Sequence, residues 1–568
     1  MSDNQTVTKF QHLPNEILMK SFRYLNALQI FDSFDRLNSR FNTLIRYIPL
    51  HLDFQYFPQA LCQRFCQEML LDARMKEYIY SLHLSNKDSG LCIPFFCEMF
   101  SLLDFPNLRS LTLTDVNVTN SDELFAMLCS MSSLTCFRMN DNRFFLPDTL
   151  PSSGIRILSV CNFRGKLKYW DRFSSLTSLT IHHCVKNDLL RVLNDIPTLK
   201  YLQINSVSGF IPDFEDEDFH FTHSLQHLII ESSEYYEIEM IVKYIPNLEY
   251  LTLSTNSNGR QPTAQQWECL IKTYLPSLKV FKFCFKYYDA ENETFTEENC
   301  KEFQSDFWCI EHNWMTEYIL SYDKAMVYTV PYEFSTFYLH SSMKRYCNMA
   351  VNDRDIFNNV TELSIHTDKT VIYDDYLSYE GLPSQETWFE LLTTNKIEPM
   401  ISYFSNVRHL DMSHVRKLKS SSVLLEILKG TPRLSSLTIT SDLLQSLWND
   451  NELCQYFNRM IHQLDVTNPS YFMINRTILE KFCQVFSNVE YLQCGIGDKD
   501  QIFFILEYLS KLIRADFLLE GSARGIDISQ LEQEIRQLSM NVYIDRVGFY
   551  STTMVWIDRT MADNQTRT

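Results

Sequence analysis

Eight stretches of this chain repeat one template: an apolar residue, two arbitrary residues, a second apolar residue, one arbitrary residue, a third apolar residue. They are "FPNLRSLTL" (105–113), "FSSLTSLTI" (173–181), "IPTLKYLQI" (196–204), "IPNLEYLTL" (245–253), "LPSLKVFKF" (275–283), "FSNVRHLDM" (404–412), "TPRLSSLTI" (431–439) and "FSNVEYLQC" (486–494). Weaker copies lie at 131–139, 154–160, 222–230, 360–365 and 461–466. From Leu108 to Leu278 the leading apolar residue recurs at intervals of 26, 21, 21, 23, 26, 23 and 30, and from Val407 to Val489 at 27, 27 and 28. The closing pair, such as Leu111 and Leu113, alternates at period two, the pattern of a short strand with one buried face. Between strands, "DLLRVLNDI" and "SSVLLEILKG" carry apolar residues every three to four positions, the period of a helix. One strand and one helix cannot bury their own apolar faces, but a stack of copies can. The pattern predicts an α/β solenoid with a curved parallel sheet inside and helices outside. Strands are expected at about 79–84, 110–114, 136–140, 157–161, 178–182, 201–205, 227–231, 250–254 and 280–284. A generic α/β domain is the alternative.

Over roughly residues 78–517 this pattern resembles the leucine-rich-repeat family. That family places Asn or Cys three positions after the last strand apolar; Asn142, Cys184 and Asn256 fit, whereas Val116, Val207 and Ser233 do not. Between Phe283 and Val360 no clear copy of the template is recognised. The segment is aromatic-rich, and its later part reads as two strands around a "YDK" turn. Enlarged, diverged repeats and an insertion projecting from the array both remain open. A smaller break covers 366–400, and "RVGFYSTTMVWID" (546–558) reads as a capping strand.

The stretch "QHLPNEILMKSFRYLNALQIFDSFDRLNSRFNTLIRYI" (11–48) is of another kind. Pro14 and Glu16 suit the start of a helix. Ile17, Leu18, Phe22 and Leu25 then form one apolar stripe. Two further short helices follow, with Leu28, Ile30, Phe31 and Phe34, then Leu37, Phe41, Leu44, Ile45 and Ile48. A unit this small rarely supports its own core, so its apolar surplus must meet either the repeat array or another protein. "LPNEILMKSFRYL" resembles the start of an F-box, through Leu13, Pro14, Glu16, Ile17, Leu18, Phe22 and Leu25. Leu37 falls at a usually aliphatic position of that family, and Phe41 where it often has Trp. Gln29 departs, since the family commonly has Asp there. The resemblance implies that these residues bind a Skp-type adaptor, which docks the chain on a cullin–RING ubiquitin ligase. The repeats would then hold a protein substrate. The rival reading of 11–48 is a helical cap on the first repeat.

The remaining features restrict function. The net charge of −19 argues against a nucleic-acid groove, which needs a basic footprint, and against an anionic membrane surface. No apolar run reaches the roughly 20 residues needed to span a bilayer, and the polar N-terminus lacks a secretory h-region. The sixteen cysteines are scattered without a C-x-x-C pair, so they read as reduced thiols in a cytoplasmic or nuclear protein. Neither G-x-S-x-G nor a P-loop occurs, and Gly495-Ile-Gly497 lacks the third glycine of a dinucleotide fingerprint. His220, His223 and His227 behind "EDED" (215–218) form the best metal candidate, set against a solvated acidic loop. No catalytic residue and no cofactor is expected.

The sequence therefore divides as follows: a disordered N-terminus (1–10), an F-box (11–55), a first repeat block (78–283), the aromatic segment (284–356), a second repeat block (357–517), and a C-terminal cap and tail (518–568). Tyr201, His227 and Tyr250 occupy the same flanking position of three successive strands, which makes them candidate substrate-binding residues; tyrosine also simply suits strands. The octapeptides "MSDNQTVT" and "MADNQTRT" at the two ends share six identities, for which there is no physical account. The expected function is that of a substrate receptor of an SCF-type ubiquitin ligase, with a repeat scaffold outside the ubiquitin system as the alternative.

Overall fold

The computed structural model describes residues 10–558 apart from 36, 47, 56–64, 68, 72, 87–91, 117–123, 125, 129, 142–153, 163–169, 171–172, 209–223, 258–261, 289–295, 322–323, 341–342, 347–355, 367–403, 416, 419, 468–475, 520–526, 538–540 and 548–551. The chain is α/β and divides into two compact units, Met1–Leu228 and Ile229–Thr568.

The first unit opens with helices α1 (Asn15–Phe22), α2 (Ala27–Phe34) and α3 (Ser39–Ile45). Strands β1 (Leu50–Asp53), β2 (Ile79–Ser85), β3 (Ser110–Thr114), β4 (Cys136–Asn140), β5 (Ile157–Asn162), β6 (Ser178–Val185) and β7 (Tyr201–Ser208) follow. Each pairs with the next in parallel and in chain order. The template explains the register. Leu82, Leu111, Phe137, Leu158, Leu179 and Leu202 stand side by side, and so do Leu84, Leu113, Met139, Val160, Ile181 and Ile204. All twelve are fully buried. Burying each such side chain is worth roughly 1.5–3 kcal/mol, and a slip of one residue would turn both rows to the opposite face. The leading apolar residue closes a tight turn before several of these strands: Leu108 N–H donates to the Phe105 carbonyl at 3.1 Å, and Leu176 N–H to that of Phe173 at 3.0 Å. Outside the sheet, the helix Lys186–Asp195 buries Leu189, Leu190, Val192 and Leu193 at the spacing expected of it.

The division falls within β8 (His227–Ser233). In the second unit, β9 (Tyr250–Ser257) pairs in parallel with β10 (Val280–Tyr288). All nine strands expected between residues 79 and 284 fall within β2–β10. Parallel order then stops. Strand β11 (Thr316–Leu320) and strand β12 (Lys324–Thr329) form the hairpin anticipated around "YDK", and β12 pairs antiparallel with β10. Further on come β13 (Thr336–His340) and β14 (Lys344–Tyr346), the latter antiparallel to β11. The aromatic residues have a structural use here. Phe283 and Phe285 stack at 4.3 Å, and Trp308 lies 5.1 Å from Phe303 and 5.4 Å from Phe283, all with minimal exposure.

A second parallel run follows: β13, β15 (Glu362–His366), β16 (His409–His414), β17 (Ser436–Thr440), β18 (Gln463–Thr467), β19 (Tyr491–Ile496) and β20 (Arg514–Leu519). Strands β21 (Asn541–Val547) and β22 (Thr552–Asp558) close that edge as an antiparallel pair, with β22 on β20. They cover the otherwise open β20 edge, as a capping strand should.

Observed elements run across three of the expected boundaries. The division at 228/229 falls inside the expected 78–283 block. The 11–55 segment ends in β1, which belongs to the sheet, so the helical part stops at Ile45. The second parallel run begins at Thr336, inside the expected 284–356 segment, because Phe334-x-x-Phe337-x-Leu339 is itself a copy of the template, with Phe337 and Leu339 fully buried. Its aromatic leading residues hid it among other aromatics. Residues 1–9, the break after His366, and the terminal octapeptides lie outside the described residues.

Candidate partner-binding surfaces

The helices α1–α3 are held by local polar contacts. Asn26 caps α2, accepting from Leu28 N–H at 3.2 Å, while its own N–H donates to Gln29 Oε1 at 2.9 Å. Gln29, the departure from the F-box pattern, thus completes a capping box. Asn38 caps α3 through Phe41 N–H at 3.0 Å, and Arg40 ties α3 to the start of α1, donating to the Leu13 carbonyl at 2.6 Å and to Asn15 Oδ1. Asn26 also joins α2 to β1: its Nδ2 donates to the Asp53 carbonyl at 2.7 Å.

Inside the trio, Phe34 lies 5.0 Å from Phe22 and 5.5 Å from Phe41. Leu18, Phe22 and Phe41 are almost completely buried, so these three expected adaptor contacts are interior packing and do not meet solvent. The expected apolar stripe also splits: Leu18 turns in, whereas its neighbour Ile17 is 43% exposed. Pro14 and Glu16 are exposed as well, and Leu13 and Leu25 are half-buried. Tyr24 is 90% and Leu37 59% exposed. Pro14, Ile17 and Tyr24 recur at three- and seven-residue spacings, so they line one side of α1 and its ends. Apolar surface in such quantity on so short a segment is the kind that partners cover.

In the first unit the rings of Tyr201 and His227 lie 6.3 Å apart, and Tyr201 donates to Gln203 Oε1 at 3.0 Å. Tyr250 belongs to the second unit and is 38% exposed. Of the expected metal ligands, His227 is on β8, and His220 and His223 lie outside the described residues.

A further surface lies on the second parallel run. The template's arbitrary residue between its two closing apolar positions faces away from the core. Register aligns Tyr338, Ser364, Asp411, Thr438, Asp465, Gln493 and Asp516 in one row. Aligning these middle positions in the sequence would have found the row; attention to the preceding flanking position missed it. Its three carboxylates differ in their surroundings. Asp411 accepts from Ser364 Oγ at 3.1 Å and from Ser413 N–H at 2.9 Å, and Asp516 pairs with Arg514 at 2.9 Å. Asp465 keeps a buried Oδ1 without a hydrogen-bond partner among the described residues. Burial, reinforced by Asp411 and Asp516, pushes its carboxyl up to about 6.

The folded chain holds the Asp465 proton more tightly than the unfolded chain. Its contribution to stability is therefore full below a pH of about 4, the ordinary carboxylate value, and is lost as pH rises through about 6. Asp465→Asn is expected to change little at low pH and to stabilise the protein by ~1 kcal/mol at neutral pH, after allowance for solvent screening. Denaturant unfolding at the two pH values measures this, and a destabilised variant at neutral pH would contradict it.

Among the described residues no helix is long and apolar enough to cross a membrane, and no group of three His, Cys, Asp or Glu side chains is placed to hold a metal ion. Compared with known proteins, the chain matches no protein-family model and no curated protein.

Proposed function

We propose that this chain is the substrate-recognition subunit of an SCF-type E3 ubiquitin ligase, docking on a Skp-type adaptor through α1–α3 and holding a protein substrate on its sheet surfaces. The observation that carries the reading is the outward set Pro14, Ile17, Tyr24 and Leu37 over an interior already filled by Leu18, Phe22 and Phe41. An N-terminal cap would turn such residues onto the sheet. The sequence resemblance to an F-box falls on the same segment. In this reading the chain binds and positions, and the bond-making chemistry belongs to the ligase. The curved repeat solenoid belongs to the same proposal, supported by seven parallel strands in order in each of two runs. Affinity purification of the intact chain from cells, followed by mass spectrometry, tests the proposal: adaptor and cullin should be recovered together.

A second reading, a repeat scaffold outside the ubiquitin system, is favoured by one observation. Helix α2 is fastened to β1 through Asn26 and Asp53, and Phe31 meets Phe65 edge-on at 5.3 Å, so the trio also closes the sheet edge. Recovery of partners without adaptor or cullin would select it. For substrate capture, Tyr201→Ala with Tyr250→Ala is expected to reduce recovery of the bound protein several-fold, because tyrosines are frequent binding anchors and Tyr250 is exposed while Tyr201 is half-buried. Undiminished capture by a folded double variant would remove both residues from the binding surface.

A further inference from the structure

The repeats share a seal that is altered in two successive copies. In several copies the residue before the leading apolar position donates from its side chain to a backbone carbonyl of the copy before it. Asn107 reaches Glu77 at 2.8 Å, Ser133 reaches Leu108 at 2.9 Å, and Thr198 reaches Leu176 at 2.8 Å. Asn406 likewise reaches Asn358 at 2.9 Å, and Asn488 reaches Asn458 at 2.8 Å. Arg433 holds that position before Leu434, and its Nη1 donates instead to the Asn406 side chain at 2.7 Å. In the next copy Met460 holds it before Ile461, and a thioether has no proton to donate. Between these two copies lies a cavity of about 450 Å³, beside Ser435 and His462, which precede β17 and β18.

The lining has two characters. Leu428, Leu434 and Met460 are buried and apolar, and the half-buried Tyr456 extends that surface. Arg433 and Arg459 are exposed, and the Arg459 guanidinium lies over the Tyr456 ring at 4.6 Å. A guanidinium whose face rests on a ring keeps its N–H edge for an anion. Neither guanidinium pairs with a carboxylate among the described residues. The carboxylates closest to the group act on its other cations. Glu426 and Glu452 each lie 3.4 Å from Lys429, and Glu490 lies 3.4 Å from His462 Nδ1. None of the three lines the cavity.

The volume is that of an ordinary small-molecule site. Two guanidinium forks match one phosphate monoester dianion, whereas a monocarboxylate carries half that charge. The apolar surface beside them suits a flat ring. We propose that this cavity binds a nucleoside monophosphate, its phosphate on Arg433 and Arg459 and its base against Tyr456 and the apolar lining. The site does not involve α1–α3, so it stands or falls apart from adaptor docking.

Equilibrium dialysis of the full chain against radiolabelled adenosine monophosphate, at constant ionic strength, tests the proposal. Retention should be saturable and about tenfold or more tighter than that of labelled adenosine, as hydrogen bonds to a charged group imply. Arg433→Gln and Arg459→Gln should each remove most of that difference. Arg433→Gln should leave adenosine retention as it was. Both positions are exposed, and thermal melting checks that both variants fold. No saturable retention, retention equal to that of adenosine, or a difference that survives both variants overturns the site. Inorganic phosphate that displaces the nucleotide at equal concentration would reduce the site to an anion contact and overturn the nucleotide.

Discussion

Ile17→Asp together with Leu37→Asp should abolish recovery of the Skp-type adaptor and cullin while leaving the chain folded. Both side chains meet solvent, at 43% and 59% exposure, so charge there disturbs little of the interior. Surface substitutions of this sort usually stay within about 0.5 kcal/mol of the parent. In a docked complex the same positions would be desolvated, and truncating an apolar anchor typically costs on the order of 2 kcal/mol or more. Two such losses with buried aspartates added would lower affinity by more than about a hundredfold. Leu18→Ala and Phe22→Ala serve as the contrast. These fill the interior, and their loss should cost roughly 2–5 kcal/mol of stability through the cavities they leave. A binding defect in them would report unfolding of the trio, not a lost contact. Co-purification at normal yield with the double aspartate variant would remove the ubiquitin-ligase reading and leave the scaffold.

The strand phases were readable because burial on one face enforces strict alternation. Leu111 and Leu113, or Leu437 and Ile439, leave no other register. Helical segments were readable for the same reason at a different period. Pattern failed where neighbours share chemistry but not environment. Ile17 and Leu18 look alike in sequence, and which one turns inward depends on where Phe34 and Phe41 return in space. Template matching also failed at Phe334-x-x-Phe337-x-Leu339, where aromatic leading residues stand among other aromatics. The cluster of lysines and histidines on β10–β16 was out of reach for a different reason. Lys286, Lys324, His340, His366 and His414 come from five strands, and only register brings them together. Asp465 carried no signal of its own; its perturbed carboxyl arises first from burial and then from Asp411 and Asp516, contributed by β16 and β20.

The largest stability effect is expected at Arg345. Its guanidinium donates twice to Glu317 Oε2, from Nε at 2.9 Å and Nη2 at 2.8 Å, and the Tyr328 hydroxyl donates to the same oxygen at 3.1 Å. Glu317 is fully buried and the Arg345 side chain is 8% exposed. Strand β14, which carries Arg345, has only three residues, so few ladder hydrogen bonds hold it on β11. Arg345→Met keeps much of the apolar stem but strands the Glu317 carboxylate in the interior. Breaking a buried pair in this way costs about 3–5 kcal/mol. Glu317→Gln with Arg345→Met removes both charges and should recover much of that loss, since a buried pair contributes little beyond offsetting its own desolvation. Denaturant unfolding of the four chains, parent, two single variants and double, gives the coupling directly. With two compact units the curves need not follow one transition, so the comparison uses the transition that moves in Arg345→Met. A loss below about 1 kcal/mol in that variant would mean that water reaches the pair and screens it. The pair would then add little to the Phe283, Phe285, Phe303 and Trp308 aromatic packing and the strand ladders beside it.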